Sequence, residues 1–191
     1  MTKKEENEIA VAIKNLYIQL RSKMKIKFDR DIPFSELLFD RWERASELGF
    51  DKGANIYHNS YVYGEVKVGE KTWIGPFTIL DGSGGLKIGA YCSISSGVHI
   101  YTHDTVKWAL SGGKYSAERK PVTIGDCCYI GPQAIITKGV EIGSHSIIGE
   151  QALVRKNVEP YSIVVGTPAK CVGKVIIKNS EVRLEYFKKE E

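Results

Sequence analysis

Ile124-Gly125-Asp126-Cys127-Cys128-Tyr129-Ile130-Gly131-Pro132-Gln133-Ala134-Ile135-Ile136 repeats a pattern of six residues. Each unit begins with an aliphatic residue, often followed by Gly, and has a small or β-branched residue at its fifth place. No helix has a six-residue period, and an ordinary strand alternates every two residues. A fixed period this short is typical of a β-solenoid, in which three units form one triangular coil and coils stack about 4.8 Å apart. The stretch therefore predicts a mainly β protein built as a solenoid.

The same period covers most of the chain in two registers. Its aliphatic places are residues 56, 62, 68, 74 and 80, and then residues 88, 94, 100, 124, 130, 136, 142, 148 and 154. A Gly-rich stretch over residues 81–87 shifts the register by two, which predicts an irregular corner that a ligand can approach. From Thr102 to Pro121 the pattern lapses while its phase is kept. Residues 102–121 are therefore predicted to form a long loop protruding from one corner, the first place to look for an active site.

The terminal segments do not follow the repeat. One helix is predicted over residues 1–24 and another over residues 33–48, between Pro33 and Gly49. The first helix places on one face the apolar residues Ile9, Ile13, Leu16 and Leu20. We expect residues 1–50 to form a helical cap over the open end of the solenoid, whose strand edges would otherwise be unpaired. A partner-binding helix is the alternative.

After the cap, residues 51–175 are predicted to form the solenoid domain. Residues 176–191 begin with strand-forming residues and end charged, so they predict a closing strand followed by a frayed tail.

Composition narrows the class of protein. The 191 residues carry a net charge of only +4, with the lysines scattered, which argues against a nucleic-acid partner and fits a small anionic ligand. Neither a signal peptide nor an apolar run of about 18 residues is present, so membrane insertion is not expected. The cysteines are Cys92, Cys127, Cys128 and Cys171. They form no CxxC pair, so we expect reduced thiols in the cytoplasm and no metal site.

Three further blocks resemble one family. They are Ile94–Asp104 (Ile-Ser-Ser-Gly-Val-His-Ile-Tyr-Thr-His-Asp), Pro121–Asp126 (Pro-Val-Thr-Ile-Gly-Asp) and Val165–Lys170 (Val-Gly-Thr-Pro-Ala-Lys). They are similar to the hexapeptide-repeat acyltransferases, and most similar to bacterial sugar O- and N-acetyltransferases of surface polysaccharide biosynthesis. The resemblance implies a left-handed parallel β-helix, although general connection rules favour the right hand. It also implies a homotrimer with active sites between subunits, and acetyl-CoA as the acyl donor.

In the family, a His at the base of the loop is the general base, and His103 occupies that position. The chemistry needs such a group, since a sugar hydroxyl must lose its proton as it attacks a thioester. Imidazole titrates near neutral pH and commonly contributes a factor of about 10² to 10⁴. His103 is therefore the predicted catalytic residue, while the donors that would stabilise the oxyanion are not identified.

Four residues are candidates for binding the acceptor. Asp104 lies where N-acyltransferases of the family carry an acid that contacts the sugar amine, and many O-acetyltransferases have Pro there. Asp81 matches a substrate-binding acid of galactoside-type relatives, but it is equally consistent with a turn former. Trp108 lies in the predicted loop, and Tyr129 matches an aromatic residue near the active site of relatives. Tyr129 is equally consistent with an ordinary outward strand residue.

The C-terminal coils carry the candidates for binding CoA. The resemblance implies that Lys156, Lys170 and Lys174, together with Arg155, meet the CoA phosphates, and that Gly166 belongs to the Gly-x-Pro-Ala-Lys motif beside them. Solubilising surface charge is the alternative for each lysine.

The remaining histidines, His58, His99 and His145, fall at turn or outward places and are not predicted to be catalytic. A carbonic anhydrase built on the same solenoid would need a His-x4-His pair, which is absent from this sequence.

Together these features predict a CoA-dependent enzyme that moves an acetyl or other short acyl group to a sugar hydroxyl. N-acylation of a nucleotide-linked amino sugar is the alternative, so the second partner is a sugar or a nucleotide-sugar. A non-catalytic hexapeptide-repeat scaffold is the competing class. It would lack a loop histidine and a CoA motif, and this sequence has both.

Overall fold

The computed structural model describes residues 1–188, and most of the strands in this part of the chain are short and parallel. The helices are α1 (Lys3–Phe28), α2 (Phe34–Leu38), α3 (Arg41–Glu47) and α4 (Val106–Leu110). The strands are β1 (Asn55–Ile56), β2 (Tyr61–Val68), β3 (Trp73–Ile74), β4 (Ile79–Ile88), β5 (Ser93–Ile94), β6 (His99–Ile100), β7 (His103–Asp104), β8 (Glu118–Arg119), β9 (Val122–Ile124), β10 (Tyr129–Ile130), β11 (Ile135–Ile136), β12 (Glu141–Ile142), β13 (Ile147–Ile148), β14 (Leu153–Val154), β15 (Ser162–Val165), β16 (Lys170–Lys178) and β17 (Glu181–Tyr186).

The strands stack into the solenoid that the period predicts. Ile56 lies opposite Ile74, Ile74 opposite Ile94, and Ile94 opposite Ile130, each pair in parallel register. Every aliphatic place therefore lies directly above the same place in the next coil. Those places are buried, except that Val62 is only partly buried. The prediction of a mainly β solenoid with an aliphatic core is confirmed.

The strands of the solenoid form three faces. The first face contains β1, β3, β5, β10, β13 and β15. The second face contains the first residues of β2 and β4, followed by β6, β11 and β14. The third face contains the last residues of β2 and β4, followed by β9 and β12. The corner between the second and third faces, called the loop corner, is where residues 102–121 leave the solenoid.

The Gly-rich stretch lies at the same loop corner. Gly82 is opposite Gly64, but Leu86 is opposite Val66, so β4 holds two more residues than β2 at this point. The irregular register is as predicted, but the stretch forms a bulge inside one long strand and does not interrupt it. The bulge returns Ile88 to the inward phase.

The N-terminal helices differ from the prediction. α1 continues to Phe28, and its residues Ile9, Ile13 and Leu16 are exposed, so its apolar face is not packed on this chain's solenoid as we expected. α2 and α3 are separate because Phe39 is extended and the Asp40 side chain caps α3. α3 packs on β1, where its Ala45 is buried. None of the described helices is long and apolar enough to cross a membrane.

The C-terminal residues form a hairpin. β16 pairs antiparallel with β15, and β17 pairs antiparallel with β16. A two-residue turn at Asn179 and Ser180, both with positive φ, joins the last two strands, which is typical of a tight hairpin. Residues 181–186 are thus a strand, and the prediction of a frayed tail was wrong there. The last part of the predicted tail, residues 189–191, lies outside the described residues.

The inward places should dominate stability. Ile130 has no exposed surface, whereas Ile135 on the adjacent outward place is 37% exposed. We expect Ile130→Ala to lower the free energy of unfolding by about 2–5 kcal/mol, because it removes buried methylene groups and leaves a cavity. The matched Ile135→Ala should cost less than about 1 kcal/mol. Urea titrations followed by circular dichroism measure both, and equal losses would contradict the assigned register.

Candidate active site

A histidine and a buried carboxylate meet at the loop corner. His103 Nδ1 lies 2.6 Å from Asp81 Oδ2. An ionised carboxylate can only accept a hydrogen bond, so Nδ1 must carry the proton and donate it to Asp81. In the neutral ring this leaves the lone pair on Nε2. The contact with Asp81 therefore leaves Nε2 of the neutral ring unprotonated, as a general base must be.

Asp81 is fixed by its other partners. Oδ1 accepts from the Ser83 N–H at 3.0 Å and from the Ser83 hydroxyl, and Oδ2 accepts from the Thr102 N–H at 2.9 Å. Burial by itself would raise the pKa of Asp81, but the hydrogen bonds from Ser83, Thr102 and His103 together hold that pKa well below its usual range. The carboxylate is thus ionised at neutral pH and prepared to stabilise a positive imidazolium.

This arrangement corrects the role suggested for Asp81. Its side chain is only 2% exposed and both oxygens are engaged, so it cannot contact a substrate as we considered. It orients His103 instead. The glycines of the β4 bulge let the base of the loop lie close to Asp81. A Cβ on Gly84 would lie only 2.6 Å from the Thr102 carbonyl oxygen. A glycine is therefore required where the base of the loop crosses the bulge.

The loop of residues 102–121 is itself structured. β7 and β8 pair antiparallel at its base, with His103 opposite Arg119 and Asp104 opposite Glu118. Lys138, on the same corner of the next coil, lies 2.6 Å from Asp104 Oδ2 and 2.9 Å from Glu118 Oε2. Lys107 on α4 also pairs with Glu118. These ion pairs attach the loop to the coil below it.

The charges of this cluster reinforce one another. Hydrogen bonds from Lys107 and then Lys138 lower the pKa of Glu118 to about 2. Lys138 likewise lowers the pKa of Asp104. Both carboxylates are therefore ionised at neutral pH. Asp104 Oδ1 also accepts from the Val106 N–H at 3.2 Å, so this side chain is committed to holding the loop.

The two aromatic candidates are exposed in this chain. Trp108 is on α4 and is 52% exposed. Tyr129 is an exposed residue of β10 on the first face, whereas His103 leaves the loop corner between the other two faces. Within one chain the fold therefore does not bring Tyr129 to His103.

A basic cavity of about 280 Å³ lies at the C-terminal end of the solenoid. Arg155, Lys156 and Lys174 line it, and Lys174 Nζ donates to the Ser162 hydroxyl at 3.1 Å. The structure therefore brings together two of the three predicted lysines and Arg155. Lys170, on β16, and Gly166, in the turn after β15, are both exposed. Neither of them lines this cavity.

One edge of the cavity, at Lys156, lies along the same corner as the histidine. Ile100, Ile136 and Val154 stack on successive coils, so the residues that follow them occupy equivalent positions at the loop corner. His103 follows the first, Lys138 the second and Lys156 the third. With coils about 4.8 Å apart, Lys156 lies about 10 Å along the corner from the base of the loop. A ligand that carries phosphate at one end and a reactive group at the other could reach both.

The other histidines have structural contacts. His58 stacks on Phe39, and His145 stacks on Tyr161. His99 Nδ1 lies 3.3 Å from the Tyr101 hydroxyl. Among residues 1–188 no group of three or more His, Cys, Asp or Glu side chains is arranged to hold a metal ion.

Comparison with known proteins agrees with this fold. Residues 121–156 match the family model described as bacterial transferase hexapeptide, six repeats. The chain is similar to AntD, an N-acyltransferase from Bacillus cereus solved with dTDP and 3-hydroxybutyryl-CoA. Identity is 22%, coverage is 70% of this chain and 88% of AntD, and the TM-score is 0.57.

The chain is also similar to VCA0836, a hexapeptide-repeat containing acetyltransferase from Vibrio cholerae O1 biovar eltor solved with acetyl coenzyme A. Identity is 26%, coverage is 82% of this chain and 87% of that protein, and the TM-score is 0.55. The likeness to AntD shows the fold alone, whereas the repeats and the likeness to VCA0836 agree with the family resemblance of the sequence. The repeats over residues 121–156 and these likenesses together support an acyltransferase with the left-handed β-helix fold.

Proposed function

We propose that this protein moves an acetyl, or another short acyl group, from acyl-CoA to a hydroxyl of a sugar. The observation that carries the proposal is the His103 imidazole, whose Nδ1 is 2.6 Å from the buried Asp81 carboxylate while Nε2 is left to act as a base. A non-catalytic scaffold has no need of such a pair. The pair therefore favours catalysis over the scaffold alternative.

The reaction follows from the two ring nitrogens. As the sugar oxygen attacks the thioester carbon, His103 Nε2 takes the hydroxyl proton and the C–O bond forms. The ring is then an imidazolium, and the ionised Asp81 stabilises its charge through the Nδ1–H bond. When the tetrahedral intermediate collapses, the C–S bond breaks and Nε2 returns the proton to the departing sulfur. The products are the sugar ester and free coenzyme A, and the base is regenerated.

The basic cavity supports acyl-CoA as the donor. Lys156, Lys174 and Arg155 suit the phosphates of coenzyme A, because a charge-assisted bond to phosphate is about twice as strong as a neutral one. Lys156, at one edge of the cavity, lies along the same corner as His103, so the pantetheine arm would run from there toward the imidazole. The acetyl-CoA complex of VCA0836, which is 26% identical, supports the same donor for this chain.

Asp104 favours a hydroxyl acceptor over an amine. N-acylation would use this carboxylate to hold the ammonium form of the substrate, but its Oδ2 pairs with Lys138 at 2.6 Å. An acid already paired with a lysine attracts a second cation weakly. N-acylation of a nucleotide-linked amino sugar is the second candidate, because the N-acyltransferase AntD has the same fold.

The setting of the reaction follows the resemblance. We assign the sugar to surface polysaccharide biosynthesis and the protein to the cytoplasm, where acyl-CoA is made. A homotrimer would give the exposed apolar face of α1 a surface to pack on, and light scattering in solution measures that state directly.

His103→Ala separates the two acceptor chemistries. With a hydroxyl acceptor we expect kcat to fall by about 10² or more at every pH, with little change in the KM for acetyl-CoA, because the base acts in the transition state. With an amine acceptor the loss should shrink as pH rises past the pKa of the amine. The measurement is kcat against pH in a thiol-release assay with a panel of sugars and nucleotide-amino-sugars. Parental kcat at all pH values would rule out both versions.

Asp81→Asn tests the positioning of the base. Asn has no charge and only one acceptor oxygen for the donors that Ser83, Thr102 and His103 direct at the two carboxylate oxygens, so the imidazolium loses its counter-charge and the ring loses its fixed tautomer. We expect kcat to fall by about 100-fold or more with a nearly unchanged KM for both substrates. The control is Asp51→Asn, an exposed aspartate outside the loop corner, which should leave kcat at the parental value. A raised acceptor KM with parental kcat would assign Asp81 to substrate binding instead.

Lys156→Ala and Lys174→Ala test the donor site. Loss of one charge-assisted contact is worth roughly 1.5–3 kcal/mol, so the KM for acetyl-CoA should rise about tenfold or more while kcat changes little. If the lost partner is the 3′-phosphate, parent and variant should use acetyl-dephospho-CoA about equally. Lys170→Ala should have a smaller effect, and Lys178→Ala, at the far end of β16, should have none. An unchanged KM in both cavity variants would exclude the cavity as the donor site.

A further inference from the structure

Two exposed tyrosines lie side by side on the second face of the solenoid. Val62 points inward, so its neighbours Tyr61 and Tyr63 both point outward from β2, where they are 60% and 50% exposed. Their ring centroids are 6.1 Å apart and the rings are within 16° of parallel. We call this pair the tyrosine platform. Large exposed aromatic rings that lie next to each other on a rigid strand are typical of a binding surface.

The register of the strands connects the platform to the catalytic pair. Tyr63 lies opposite Asp81 on the adjacent parallel strand, and Tyr61 lies opposite Ile79. Residues in register on parallel strands point to the same side, and their strands are about 4.8 Å apart. Asp81 in turn holds His103 at 2.6 Å. The platform therefore begins one strand away from Asp81 and two coils away from the coil that carries His103.

The platform leads away from the reaction centre. Tyr61 precedes Tyr63 by two residues, about 7 Å along the strand. A single sugar whose hydroxyl lies at His103 could approach Tyr63 but would not extend over Tyr61. The second ring has a use only if the acceptor continues beyond the reacting sugar.

We propose that the acceptor is a glycan of at least three sugar units, in which the unit next to the reacting one packs on Tyr63 and the following unit packs on Tyr61. This inference rests on the proposed function. A pyranose ring has a face of C–H groups that packs on an aromatic ring, while its hydroxyls stay in water or bond to the phenol oxygen. The distance between the two tyrosine rings is comparable with the length of one sugar unit.

The charges of β2 favour a glycan over a nucleotide in this position. Lys67, the only basic residue of this strand, pairs with Glu65 at 2.9 Å. The strand therefore offers no unpaired cation to the diphosphate of a nucleotide-linked sugar. An uncharged stretch of a glycan needs none.

The experiment combines binding with kinetics. The full-length protein, saturated with coenzyme A, is applied to immobilised glycans of one to six units that include hexose and N-acetylhexosamine chains. For any glycan that is bound, the chains of one, two and four units are then assayed as acceptors with acetyl-CoA. We expect binding to require at least two units, and the four-unit chain to have a KM about tenfold or more below that of the single unit.

Tyr63→Ala and Tyr61→Ala should give different length dependences. Tyr63→Ala should raise the KM about tenfold, or about 1.4 kcal/mol, for both the two-unit and the four-unit chain. Tyr61→Ala should raise it only for the four-unit chain. In both variants kcat and the KM for the single unit should stay within about twofold of the parent, since the platform holds ground state and transition state equally. Tyr63→Phe should restore most of the affinity, and Tyr186→Ala, an exposed tyrosine on β17, is the matched control.

Several outcomes would overturn the inference. One is a protein that binds single units and nucleotide sugars as well as the chains, or binds no chain at all. Another is a change of mass by light scattering in the tyrosine variants, which would make the platform an interface between copies of this chain. If single sugars are acylated in a His103-dependent way without any effect of the tyrosines, only this inference fails. If His103→Ala keeps parental activity, the proposed function fails as well.

Discussion

The structure depends on the stacking of equivalent aliphatic residues of successive coils along the solenoid. Each aliphatic residue lies directly above the equivalent residue of the next coil, so the core is a set of columns and not a jigsaw of unrelated side chains. A shift of one residue would turn a whole strand's inward place to the solvent. Any irregularity must therefore return the chain to phase. This constraint leaves only the corners free to carry extra residues. The candidate catalytic pair, His103 and Asp81, lies at one of these corners.

Two irregularities occur at one corner and meet there. The first is the two-residue bulge in β4, which presents Asp81, and the second is the loop that begins at Thr102. Because the coils on both sides of the bulge stay in register, the start of the loop lies at a fixed distance from the bulge. The Thr102 N–H and the His103 ring both bond to the Asp81 carboxylate as a result. Lys138, from the next coil, fixes the outer part of the loop. The site is thus built by the solenoid's own repeat distance.

Sequence reasoning predicts what depends on period and motif. The inward places, which the structure confirms, are set by residues close together in the chain. The prediction of His103 as the base depends on a motif that is equally local. The role of Asp81 is not visible in the sequence, because it requires knowing how far the bulge moves β4 relative to the strand that precedes the loop. The same applies to the proposed donor site: Lys156 and Lys174 line one cavity only because β16 folds back along β15.

Other differences between the predictions from sequence and the structure have similar causes. The apolar face of α1 is visible in the sequence, but the sequence does not say which surface covers it. The two-residue turn at Asn179 and Ser180 was a recognisable hairpin signal that the charged composition concealed. Tyr61 and Tyr63 read as ordinary outward residues until register places them beside Asp81.

The proposed substrate sites lie on opposite sides of the imidazole. Lys156 and Lys174 lie toward the C-terminal coils, whereas the tyrosine platform lies toward the N-terminal coils. Donor and acceptor would therefore approach His103 from two directions along the solenoid, and neither would have to leave before the other binds. Both can be held at once with the thioester carbon between the hydroxyl and the departing sulfur. That arrangement suits direct transfer in a ternary complex, in which positioning replaces a covalent acyl-enzyme and one imidazole moves the proton from oxygen to sulfur.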